Sequence, residues 1–415
     1  MRMTRRDILI GGAASAAVLS TAAKAQSEVV IGATYPMSGA NAQVGVDATH
    51  AFNTALDIIN NDTDLDIILA KGTGLPGLGG AKVRLVVADH QSDPQKGRAE
   101  AERLVTQEKV SALIGTYQSA VAATVSQTAE RYQTPFLSAD NSSPSLHRRG
   151  LKYYFRAAAH DEMFSKAMFD FFDDLKKKGQ KIETLALFYE DTIFGTDSAN
   201  AQQALAKERG YKVVSAIKYR ANSPSLTAEV QQLKAADADV LMPSSYTTDG
   251  ILLVKTMSEL GYKPKAIVAQ DAGFSEKALY DAVGDKLEGL ISRASFSLDL
   301  AQKRPAVGVV NAMFRQRSGK DLNDLTSRQL MGLLVLAEAI DRAKSTDGEK
   351  IREALTKTDI PGEKTIMPWK VVKFDDMGQN NDCDPVLLQY IKGKFVTIFP
   401  AQGAVADATW PMNKA

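Results

Sequence analysis

Two short segments concentrate side chains able to hold an anion. Thr116-Tyr117-Gln118-Ser119-Ala120 follows an apolar run at 112–115 and opens a helix-period stretch. Ala139-Asp140-Asn141-Ser142-Ser143-Pro144 does the same after the apolar run 135–138. A helix start carries unpaired N–H groups and the positive end of the helix dipole, and a serine there adds a hydroxyl donor. Such a set suits a carboxylate. Serine is also a good helix N-cap, so each loop alone has a purely structural explanation. With two of them on successive strands, binding and capping stand level.

Three later loops sit the same way relative to apolar runs: 189–195, 243–248 and Gln270-Asp271-Ala272-Gly273. They bring Phe194, Tyr246 and Asp271. With Tyr117, these aromatics could wall a cleft while Asp271 meets an ammonium group, which together describe a zwitterion. Each aromatic could instead pack against its own helix, and Asp271 could cap a helix expected near 275–280.

Reaction chemistry has little support. His50, His90, His147 and His160 are scattered, with no H-E-x-x-H and no paired Cys/His spacing. Gly77-Leu78-Gly79-Gly80 lacks the Lys-Ser/Thr ending of a phosphate loop and precedes a strand instead of following one. No G-x-S-x-G elbow occurs. Asp375-Asp376 and Asp382/Asp384 lack calcium-loop spacing and read as solvated turn acids. Cys383 is the single cysteine, so no internal disulfide can form, and its acidic neighbours disfavour a thiolate. The chain is expected to bind rather than catalyse, with no catalytic residue, cofactor or metal.

The elements that must position these loops alternate. Apolar strands are expected at 29–33, 83–88, 112–115, 135–138, 185–189, 213–217, 240–242 and 266–269. Helical periodicity fills 44–60, 95–108, 119–132, 163–178, 196–209, 225–236 and 250–260. Strands apolar on both faces and joined by helices make parallel sheets covered on each side, an α/β fold. Ligands then lie off the carboxyl ends of the strands, where the loops above are found. The alternation stops in an irregular stretch, 139–159, and restarts at 185, which argues for two α/β units in series. An extended crossing at 287–296, helices at 306–317, 329–344 and 348–356, and β-rich segments at 367–374, 386–391 and 394–399 complete the chain.

The first residues argue for export. Thr4-Arg5-Arg6-Asp7 precedes a weakly apolar, Gly/Ala/Ser-rich run, and Ala23-Lys24-Ala25 offers a cleavage site. This is the pattern of a twin-arginine signal over residues 1–25, cleaved after Ala25, with the periplasm as destination. Its removal takes away a net charge of +3 from a total of +1, leaving about −2. That balance offers no surface for nucleic acid.

The order of Val30-Ile31-Gly32-Ala33, Met37-Ser38-Gly39, Asp93-Pro94, Leu113-Ile114-Gly115, Phe136-Leu137-Ser138 and the 370–378 segment resembles the leucine/isoleucine/valine-binding proteins. These are type I periplasmic receptors of ABC importers, and the resemblance spans the mature chain. It implies two Rossmann-like lobes with parallel-rich sheets joined by a three-strand hinge. The lobes would be 28–157 plus 290–365 and 158–289 plus 366–415. It also implies a monomer that binds an amino acid and hands it to an inner-membrane ABC permease. Carried over, the carboxylate loops resemble Gln118-Ser119 and Asn141-Ser142. The family's second-lobe tyrosine falls at Phe194, without its hydroxyl, and the facing tyrosine at Tyr246. The acid for the ligand's ammonium falls at Asp271, one methylene shorter than the usual glutamate. Related receptors take other acids and amides, so an aromatic or aliphatic acid is the alternative ligand, and an exported hydrolase the remote one.

Overall fold

The computed structural model describes residues 28–412; the expected export signal and its cleavage point lie outside them. The first sheet is built from β1 (Val29–Tyr35), β2 (Val83–Asp89), β3 (Ala112–Gly115), β4 (Phe136–Ser138) and β5 (Tyr154–Arg156). All are parallel, in the order β2-β1-β3-β4-β5. Helices α1 (Ala42–Asn60), α2 (Pro94–Thr106) and α3 (Ser119–Arg131) make the crossovers. Their entry is written locally: Asp93 accepts from the N–H groups of Gln95 and Lys96, with Pro94 in the first turn.

After α4 (Asp161–Lys177) the pattern repeats with β6 (Thr184–Glu190), α5 (Ile193–Arg209), β7 (Lys212–Tyr219), α6 (Thr227–Ala236), β8 (Val240–Ser244), α7 (Thr247–Glu259), β9 (Val268–Ala269) and α8 (Lys277–Val283). β7-β6-β8 are parallel, and a Leu241–Ile267 bridge links β8 towards β9. β9 pairs in parallel with β10 (Ile291–Ala294), which pairs antiparallel with a later strand. The chain then returns to the first lobe through α9 (Pro305–Ser318), α10 (Asp324–Ala343) and α11 (Gly348–Thr356). The small hairpin β11 (Asp359–Pro361) and β12 (Val371–Lys373) follows, and β13 (Val386–Ile391) and β14 (Lys394–Phe399) close the second sheet.

Three crossings therefore join the lobes, after β5, after β10 and before β13. The first and third are tied together: Arg156 N–H donates to Gly378 O at 2.8 Å, and Asn380 Nδ2 donates to Ala157 O at 2.9 Å. The lobe boundaries differ from those expected at 290 and 366. Residues 291–294 are hydrogen-bonded into the second sheet. Ile366, Met367, Trp369, Val372 and Phe374 are buried in the first lobe's core with α1 and α10, and Cys383 joins them. Apolar burial, worth roughly 1.5–3 kcal/mol per large side chain, holds that segment on the first lobe.

Candidate ligand-binding site

The loop after β3 is held from below by the loop after β4. Asn141 Oδ1 accepts from Thr116 N–H at 3.0 Å and from the Ser138 hydroxyl at 3.0 Å, while its Nδ2 donates to Tyr117 O at 2.8 Å. Asp140 accepts from Tyr117 N–H, the Tyr35 hydroxyl and Gln329 Nε2. These bonds fix the start of α3, so Ser119 and Ser142, each nearly fully buried, face the second lobe.

Opposite them, Tyr246 bridges the lobes through its ring. Its centroid lies 4.9 Å from Tyr117 of the first lobe and 5.2 Å from Phe194 of the second. Burial pushes the Tyr246 hydroxyl far above its ordinary pKa, with the Ser119 amide pulling the other way. The loops of β8 and β9 touch backbone to backbone at Gly273, where a Cβ would lie 2.5 Å from Tyr246 C and Thr247 N. Only glycine allows that approach.

Tyr117, Ser119, Ser142, Phe194, Tyr246 and Asp271 border one gap between the lobes. The gap measures about 10 Å³, roughly the room of one water, so the lobes are in contact around it. A larger chamber of about 880 Å³ lies alongside, walled by Tyr280, Tyr390 and Phe395, and shares only Arg293 with the gap. It contains none of the expected site residues and no helix-start donors from α3, so the small gap is the binding candidate. Gln118 and Asn141 are not brought into it. Gln118 Nε2 turns to the Ser92 hydroxyl at 2.8 Å, and the Asn141 side chain is spent on the two loops.

Asp271 is fully buried and does not cap the following helix. Its Oδ2 accepts from Arg293 Nη1 at 2.9 Å and Arg328 Nη2 at 3.1 Å, and its Oδ1 has no partner. Burial and the neighbouring Asp324 charge push the Asp271 carboxyl well up, and the two arginines oppose this. Burial likewise raises Asp140 and Asp161. Asp324 is held low: burial pushes it up, but the Arg328 charge, a hydrogen bond with Asp271 and the Arg293 charge together outweigh that. A raised carboxyl pKa favours the neutral acid, and a positively charged ligand group beside Asp271 would favour its charged form. Among the described residues, no group of His, Cys, Asp and Glu is placed to hold a metal ion.

Asp140, Ala272, Arg293, Leu325 and Arg328 complete the wall and were not foreseen. The arginines had a sequence signal. Arg293 interrupts the apolar strand run Leu290-Ile291-Ser292-Arg293-Ala294, and Arg328 stands four residues after Asp324, just ahead of the apolar run 330–337. A charge inside a buried element needs a partner.

The periplasmic binding protein family profile matches residues 28–392. A Leu/Ile/Val-binding protein homolog 7 of Brucella suis is 29% identical over 411 residues, covering 95% of this chain and 97% of its own. Among solved structures, a leucine-binding protein from Thermotoga maritima aligns with a TM-score of 0.75 at 22% identity, over 89% of this chain and 97% of that one. A solute-binding protein of an ABC transporter from Rhodopseudomonas palustris, in complex with 3,4-dihydroxybenzoic acid, aligns at 0.73 and 16% identity over 92% and 98%. The fold, the cleft and these matches agree: the chain belongs to the periplasmic binding protein family and is similar to its Leu/Ile/Val-binding members.

Proposed function

We propose that this chain is the periplasmic solute-binding component of an ABC importer and takes an amino acid of the branched-chain kind in the gap between its lobes. One observation carries the reading. Asp271 borders the same gap as Ser119 and Ser142, and its Oδ1 is buried without a partner. An ammonium would satisfy the acid while the serine hydroxyls and the α3 N–H groups hold the carboxylate. The first lobe would bind first and the second swing in, so that contacts made only in the closed form shift the population. About 5 kcal/mol of differential binding moves a two-state protein from mostly open to mostly closed. A permease reads that closed form. Calorimetric titration with leucine, isoleucine and valine tests this: Asp271→Asn should weaken binding about 100-fold or more, and Asp271→Glu should retain part of it.

A second reading has its own support. Arg293 and Arg328 already occupy Asp271 Oδ2, and a structural neighbour holds an aromatic acid without an amino group. If such an acid is the ligand, Asp271→Asn leaves affinity intact or improves it.

A further inference from the structure

The two arginines belong to different lobes. Arg293 lies on β10 of the second lobe, as Asp271 lies on the loop after β9. Arg328 and Asp324 stand one turn apart on α10 of the first lobe. Each lobe therefore carries a pair of its own: Asp271 with Arg293 at 2.9 Å, and Asp324 with Arg328. Two further contacts cross between the lobes, Arg328 Nη2 to Asp271 Oδ2 at 3.1 Å and Arg293 Nη1 to Asp324 Oδ2 at 3.6 Å. All four side chains are at most 2% exposed.

Lobes that part keep their inner pairs and lose only the crossed ones. Two preformed pairs meeting head to tail give up less hydration than separate buried groups, and their attraction strengthens as water leaves. Arg328 has a further hold: its Nη1 donates to Asp140 O at 2.9 Å, under the first lobe's serine loop. The consequence for Asp271 is directional. The guanidinium groups take Oδ2, and Oδ1 of this gap-lining residue is left unpartnered.

We infer that Arg328 is a positioning residue: by keeping Asp324 and adding Asp271 when the two preformed ion pairs meet, it couples lobe closure to the orientation of Asp271. The inference needs no particular ligand.

Small-angle X-ray scattering of the ligand-free mature protein tests it, with wild type, Arg328→Met and Arg328→Lys compared. The expected result is a larger radius of gyration for Arg328→Met and a return towards the wild-type value for Arg328→Lys, whose charge can still span the lobes. An unchanged radius in Arg328→Met, or equal expansion in both variants, overturns it. Should Arg328→Met fail to fold by circular dichroism, Arg328→Gln carries the same test, since it removes the charge that spans the lobes and keeps a polar end. Because the readout uses no ligand, its failure is distinct from failure of the amino-acid reading, which the titration of Asp271→Asn decides.

Discussion

Glu190 ends β6 beneath the gap, with Oε1 accepting the Tyr246 N–H at 2.5 Å and Oε2 unpartnered. Burial raises its pKa from 4.5 to about 8, so the native protein holds a proton that the unfolded chain releases. Its contribution is complete below about pH 4.5 and is lost as pH rises through about 8. Glu190→Gln keeps the acceptor without the titration. Urea unfolding should show wild type and variant alike near pH 4.5, and the variant more stable by about 1–4 kcal/mol near pH 9. That Ser119, Ser142, Phe194, Tyr246 and Asp271 border one gap follows from their place on strand-end loops, which face each other between α/β lobes. Arg293 and Arg328 were not legible that way, because they reach the gap from inside a strand and a helix. Gln118 and Asn141 stand in the same loops but outside the gap, because a polar side chain there can serve the loop itself.

Element boundaries tell a similar story. β5 is only three residues long, so Tyr154–Arg156 carried no periodic signal and fell within a stretch read as irregular. α10 begins at Asp324, ahead of the expected 329, because Asn323 and Thr326 form a reciprocal capping box. Those extra residues include Arg328, so the late boundary hid part of the site. Between β8 and β9 the fit is set by one missing side chain. At Gly273 a methyl group would press on the Tyr246–Thr247 backbone, which cannot yield as a side chain would. Gly273→Ala should therefore cost about 1–3 kcal/mol in urea unfolding. It should also weaken ligand binding, because the displaced segment carries the Tyr246 ring. A variant with lowered stability and unchanged affinity would detach that loop from the site.

At the scale of the whole molecule, the proposed closure would bury an acid that separation returns to water. Glu276 of the second lobe accepts from Asn323 Nδ2 of the first at 3.3 Å. Burial raises its pKa from 4.5 to about 7; Asp47 and Asp324 push the same way, while Lys320 and the Asn323 hydrogen bond oppose them. Lys320 is itself held by Asp47 at 2.7 Å, which limits what it can offer Glu276. If the lobes separate as proposed, water would return the carboxyl towards its ordinary value, and closing would take up a proton between those limits. The closed state is favoured fully below about pH 4.5, and the advantage fades as pH climbs through about 7. Ligand affinity should accordingly fall from about pH 5 to pH 8, with net proton uptake near pH 6 when calorimetry is repeated in buffers of different ionisation enthalpy. Glu276→Gln should flatten the profile and reduce the uptake. An unchanged profile in the variant would mean that Glu276 keeps one environment in both states, and that the lobes do not separate along this seam.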